Sequence, residues 1–189
     1  MVNIDNRVFI YLAFLILAFP LPWTVAAITA AALHELGHLI AAKLLKGEII
    51  FIRIHMTGAE IGAVFPGKMQ EAIAALAGPA MSFLLVLLYQ RTPKLSVCGF
   101  LQGMYNLMPV YPLDGGRALR CLGERFCPEW TSGICRWAEI LTYLALAGIA
   151  LWAVFLWKLD VWPVLMILLM ISCKIRRKIP CKQRGIGVQ

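Results

Sequence analysis

Charge is scarce in this 189-residue chain: charged side chains make up 15% of it and there are 3 histidines, where a soluble domain carries about a quarter charged residues. Aspartate occurs only at Asp5, Asp114 and Asp160. No Cys-x-x-Cys pair occurs among the cysteines at 98, 121, 127, 135, 173 and 181. Their spacing therefore does not argue for a cysteine metal site, and free thiols in a reducing compartment are the plain reading. There is no internal repeat, no low-complexity segment and no recognised nucleic-acid motif, so the net charge of +8 does not point to nucleic acid. The first apolar run has no convincing small-residue cleavage site, so it is expected to stay as a membrane segment.

What the chain has in quantity is apolar sequence, 61% of it, gathered into runs near membrane-spanning length. The runs are about Val8–Leu21, Trp23–Leu45, Met69–Tyr89, Leu95–Met108, Trp137–Trp157 and Val161–Cys173. Between the second and third, Gly47–Pro66 is rich in Ile49, Ile50, Phe51, Ile52, Ile54 and Val64, with Gly58 and Gly62 to turn it. Such a segment reads as a short β-hairpin or sheet. The expected fold is an all-α polytopic membrane protein of about six transmembrane segments, with this β element after the second. Residues 1–175 form one domain in this reading, and 176–189 form a basic cytoplasmic tail.

Lysine and arginine placement sets the expected orientation. Lys174, Arg176, Arg177, Lys178, Lys182 and Arg184 follow the last apolar run and lie inside, where they can meet anionic headgroups. Arg117, Arg120, Arg125 and Arg136, then Lys43 and Lys46, also fall inside; Arg91 and Lys94 fall outside. Both termini are thus expected to be cytoplasmic, in a bacterial cell membrane. Trp23, Trp137, Trp152, Trp157 and Trp162 suit interface anchors.

Against this background, His34-Glu35-Leu36-Gly37-His38 stands out. Residues four apart project from one helix face, so both imidazoles can meet one zinc ion, with Glu35 beside them as a general base. A lone histidine on an apolar helix is often a packed core residue. Three ionisable groups within five positions of a membrane helix are costly and therefore functional. A catalytic zinc takes a third protein ligand. His55 is the remaining histidine and sits in the β segment. Asp114 is the better candidate, following a helix broken by Pro109 and Pro112 and preceding Gly115-Gly116. Its alternative role is to cap a helix starting near Gly116.

This ordered set resembles the site-2 protease family of intramembrane zinc metalloproteases: His34 to His38, a β-rich segment, Gly78-Pro79, Asn106, then Pro112-Leu113-Asp114-Gly115. The resemblance covers about Trp23–Leu119. The run Pro-Leu-Asp-Gly-Gly-Arg, with cytoplasmic termini, is most similar to the sporulation sigma-factor-processing branch. The resemblance implies His34, His38 and Asp114 as ligands of one zinc per chain, Glu35 as the base that activates water toward a peptide carbonyl, and Asn106 as a polar neighbour stabilising the oxyanion. The family often carries an asparagine shortly after the Gly-Pro pair; Ser82 stands at that position here. No PDZ or nucleotide-sensing CBS domain fits this length, so substrate choice is expected to use the core or a membrane regulatory partner. The implied partners are a membrane-protein substrate and the lipid bilayer. Two other functions share the ligands: a metal transporter or sensor, which needs no base at Glu35, and a catalytically dead relative. Transport would need polar residues along several spans, and a dead relative would not need the complete set.

Overall fold

The computed structural model describes residues 2–4, 7–55 and 58–157. The apolar run Val161–Cys173 and the basic tail lie outside the described residues. The chain up to Glu139 forms one compact unit, and the remainder of the last described helix belongs to a second.

The protein is mostly helical. A short strand β1 (Val2–Ile4) precedes α1 (Arg7–Ala18) and α2 (Leu21–Leu44). Strands β2 (Glu48–His55) and β3 (Gly58–Val64) follow, then α3 (Lys68–Leu84), which tightens into a 3-10 turn over Leu85–Leu88. Among the described residues the series continues with α4 (Pro93–Asn106), α5 (Asp114–Phe126) and α6 (Thr131–Trp157). Within the first unit, α2 packs on α3 and α4, and α3 packs on α5.

Proline and glycine punctuate α2. Pro20 stands at its N-cap and Pro22 lies in its first turn, where a missing N–H costs nothing. At the other end Lys46 takes a left-handed φ of 56°. The Gly47 N–H then reaches the Ala42 carbonyl at 2.8 Å, and the Lys46 N–H reaches that of Lys43 at 3.4 Å. This is a Schellman closure with lysine in the place glycine usually takes. It turns the chain directly into β2.

The expected hairpin is present, with Glu48 opposite Val64 and His55 opposite Gly58, and an irregularity between Ile49 and Phe51. The structure adds a third strand that the hydropathy did not suggest. β1 pairs in parallel with β2, giving the order β1-β2-β3. The Phe51 ring lies over Gly62, where a side chain would collide with it, and the Arg53 guanidinium stacks 4.6 Å from that ring's centroid.

Small residues occupy the helical interior and large ones the outside. The buried apolar set includes Ala26, Ala30, Ala41, Ala42, Ala72, Ala74 and Ala75, whereas Leu44 is 76% and Leu87 80% exposed. A water-soluble fold does the reverse; lipid removes the penalty on exposed leucine and rewards close backbone approach through small side chains. Among the described residues two helical stretches, Leu21–Leu44 and Lys68–Leu88, are long and apolar enough to cross a membrane. Of the other expected spans, α1 has 12 residues and α4 has 14, fewer than the roughly 20 that cross a bilayer untilted.

The stretch Asp114–Arg136, which carries Arg117, Arg120, Arg125 and Arg136, contains α5 and the start of α6. One ion pair joins α5 to α3, with Lys68 Nζ 3.0 Å from Glu124 Oε2; Lys68 Nζ also lies 3.3 Å from Glu71 Oε2 within α3, and Arg120 Nε 3.0 Å from Glu124 Oε1 within α5. Burial raises the Glu124 carboxyl, but its hydrogen bonds from Lys68 and Arg120 outweigh that and leave it below the usual range. On the inner face of α5 Cys121 is buried, which pushes its thiol up to about 11. It is a packed, protonated thiol, and Cys98, Cys121, Cys127 and Cys135 are all free.

Candidate metal centre

Two helices deliver three side chains to one point. His34 and His38 come from the middle of α2, and Asp114 is the first residue of α5. Asp114 Oδ2 lies 3.0 Å from His34 Nε2 and 3.1 Å from His38 Nε2, and the two Nε2 atoms are 3.3 Å apart. A third helix, α3, supplies the floor. A side chain added at Gly78 would run into Nε2 of both histidines, 2.8 Å from that of His34.

Local sequence explains each placement. Gly37 is buried on α2, and a methyl there would meet the Ala77 carbonyl oxygen at 2.7 Å. Its absence lets α2 and α3 approach closely at the turn that carries the histidines. After α4 ends at Asn106, residues 107–113 form the link to α5. A side chain at Gly115 would enter the Leu107 and Met108 carbonyls, and one at Gly116 the backbone of Val110 and Tyr111. The two glycines thus let α5 start hard against that link. The Tyr111 N–H donates to Glu139 Oε1 at 3.1 Å, which ties the link to the start of α6.

Asp114 does not cap its own helix. The N-cap of α5 is Leu113, and no side chain bonds to the cap. The carboxylate is turned inward, 8% exposed, toward the imidazoles.

The donor chemistry suits a cation at this point. His38 Nδ1 lies 2.8 Å from the Ala74 carbonyl oxygen, which can only accept, so the ring proton sits on Nδ1. Nε2 of neutral His38 then carries a lone pair, facing a carboxylate and a second imidazole. Lone pairs converging at 3.0–3.3 Å repel one another unless a positive charge lies among them. The size fits too: tetrahedral zinc with bonds of about 2.0–2.1 Å places its donors about 3.3 Å apart. The space that a Cβ at Gly78 would fill is the opening on one side of that triangle. His34, His38 and Asp114 are thus a group able to hold a metal ion.

No family model matches the chain. Over 107 residues, 49% of this chain and 32% of the relative, it is 33% identical to a zinc metalloprotease from Methanocaldococcus jannaschii. Over 135 residues, 60% of this chain and 36% of the relative, it is 30% identical to a Synechocystis protein provisionally named a zinc metalloprotease. The chain spans about a third of the length of these curated relatives. Among solved structures it superposes on the site-2 protease from Methanocaldococcus jannaschii with a TM-score of 0.59 and 20% identity, covering 100% of this chain and 93% of that one. The chain has the fold of a site-2 protease.

Within that site-2 protease fold the expected site residues are distributed as follows. His34, His38 and Asp114 come together. Glu35 is half-buried on the α2 turn that separates the two histidines, and Asn106 is half-buried at the end of α4. His55, the other histidine considered as a ligand, lies in β2. Two participants were not assigned from sequence. In the sequence Gly78 is only half of the Gly78-Pro79 motif; its contact with both imidazoles is legible only in three dimensions. Ser82, 0% exposed, lies with its Oγ 2.8 Å from His34 Nδ1. Its place where the family often carries an asparagine was the available signal.

Proposed function

We propose that the chain is a zinc metalloendopeptidase of the site-2 protease type, cutting membrane-associated or transmembrane proteins, with one zinc held by His34, His38 and Asp114. The observation that carries this reading is the convergence of three lone-pair donors at 3.0–3.3 Å over the open floor of Gly78. Resemblance to proteins named zinc metalloproteases supports it.

Bound there, zinc would supply Lewis-acid chemistry and would lower the pKa of water toward neutrality. The rest of the reaction falls to the chain's own groups. The Glu35 carboxylate takes a proton from the attacking water and delivers it to the departing amine nitrogen. The Asn106 amide donates a hydrogen bond to the oxygen that gains charge. The Nδ1 contacts of His34 and His38 hold both rings in orientation. A helical substrate has every backbone group already bonded, so it must unwind before cleavage. β3 is an outer strand of the sheet, and an extended substrate adding to that edge would have its backbone satisfied while unwound.

A multi-pass membrane setting is supported by the two helices of spanning character and by the outward large apolar side chains. Regulated intramembrane proteolysis, with both termini cytoplasmic, is the finer form of the proposal. The Pro112–Arg117 run favours the sporulation sigma-factor branch within it.

The first test is zinc content of the detergent-purified chain. Wild type and Glu35→Gln are each expected to carry one zinc, with Glu35→Gln unable to cleave a membrane-protein substrate. Asp114→Ala is expected to lose most of its zinc. Full zinc in Asp114→Ala, or cleavage by Glu35→Gln, would overturn the assignment.

A further inference from the structure

Two other buried hydroxyls serve their own neighbourhood. Ser96 Oγ donates to the Leu85 carbonyl at 2.7 Å, and Thr131 Oγ1 donates one turn back to Cys127 at 2.8 Å. Ser82 differs. Its Oγ meets the imidazole of His34, 48 residues away in the chain, at 2.8 Å. Behind Ser82 stands α4: a side chain added at Gly103 would meet the Ser82 Cβ at 3.2 Å, and one at Gly99 the Ser82 carbonyl at 3.0 Å. The serine is therefore wedged between a glycine-lined helix and a histidine, with little room to turn.

We infer that Ser82 is a positioning residue for the metal: its hydroxyl accepts the Nδ1 proton of His34 and so presents Nε2 of that ring toward the ion. The inference rests on the zinc reading above. A neutral imidazole that offers Nε2 to a cation keeps its proton on Nδ1, and that proton needs an acceptor once the ring is 2% exposed and cut off from water. Ala74 supplies the acceptor for His38 through a carbonyl that no substitution can remove. For His34 the acceptor is a side chain, so it can be deleted. The two ligands thus have supports of unequal vulnerability, and the His34 support lies on the same helix as the Gly78 floor, one turn further along.

The test compares Ser82→Ala with Ser96→Ala in the full chain, purified in detergent, with zinc affinity read by chelator competition. The Co2+-substituted protein is followed by its ligand-field absorption. Both variants delete a buried hydroxyl on the α3–α4 side of the first unit, but only one touches a histidine. Ser82→Ala is expected to bind zinc roughly 10–100-fold more weakly and to shift the cobalt bands. Ser96→Ala is expected to leave both unchanged. Zinc binding by Ser82→Ala as tight as wild type, with unshifted bands, would overturn the inference while leaving the three-ligand reading intact. Wild-type protein that binds no zinc would overturn both. Should Ser82→Ala fail to fold, nitrogen-15 NMR of histidine-labelled, zinc-loaded wild type decides. A hydrogen-bonded Nδ1 proton on His34 supports the role, and a protonated Nε2 on that ring overturns it.

Discussion

The two helix contacts made by α3 are built from different materials. Toward α2 the contact is glycine and alanine, with Gly37 against the Ala77 carbonyl and Gly78 against both imidazoles. Toward α5, at the start of α3, it includes a cluster of exposed ions, Lys68 with Glu71 and Glu124 and Arg120 with Glu124. An atom added to the first contact is crowded, because the nearest groups are backbone, a Cβ or the two packed imidazoles. The second can lose a member, because water replaces an exposed partner. The difference separates the part of the fold that sets donor geometry from the part that merely holds elements in place.

The sharpest way to break this contrast is Gly78→Ala. The new methyl would stand in the space between His34 and His38, so zinc content of the purified chain is expected to fall to background while the protein still folds. Normal zinc in Gly78→Ala would mean that α3 does not form the floor of the site.

A smaller effect is expected at Gly37. Ala at that position meets the Ala77 carbonyl oxygen at 2.7 Å and Met81 Cβ at 2.9 Å, and overpacking of that kind costs about 1–3 kcal/mol. A lowered thermal midpoint in detergent, with weakened but measurable zinc binding, is the expected pair of results. An unchanged midpoint would show that α2 and α3 have slack between them.

The smallest effect belongs to the ionic contact. Lys68→Met removes ion pairs from a side chain that is 50% exposed, so stability is expected to change by about 0–1 kcal/mol, with zinc binding intact. Because the folded protein lowers the Glu124 carboxyl, the contribution of that group is complete above the ordinary glutamate value of about 4.3 and fades as pH falls through the lower folded value. A pH titration of the thermal midpoint should therefore differ between Lys68→Met and wild type at neutral pH and converge in acid. A large loss of zinc in Lys68→Met would contradict the division between the two contacts.

Much of the site was legible before any coordinates. The four-residue spacing of His34 and His38 is a property of one helix, and the rarity of ionisable groups in an apolar run marks it as costly and therefore used. The β-rich composition of Gly47–Pro66 sufficed for the hairpin, because its alternating strands and turn lie within one short segment. Asp114 was less secure, since an aspartate before two glycines equally suits a helix cap. Only the inward turn of its carboxylate, with Leu113 at the N-cap, separates those roles. β1 was not legible at all. A three-residue strand has no periodicity to detect, and its pairing with Ile52–Ile54 is a long-range choice.

The sequence by itself determined which helix could bring two imidazoles to one metal, which acid stood beside them, and that most of the chain suits lipid better than water. Those are consequences of spacing along one element and of composition, and both are local. Only the tertiary structure decided that Asp114 completes the triangle, that Gly78 lies against it and that Ser82 holds His34. Each of these depends on how far apart two helices stand, and that distance is set by which side chains are missing from the contact between them.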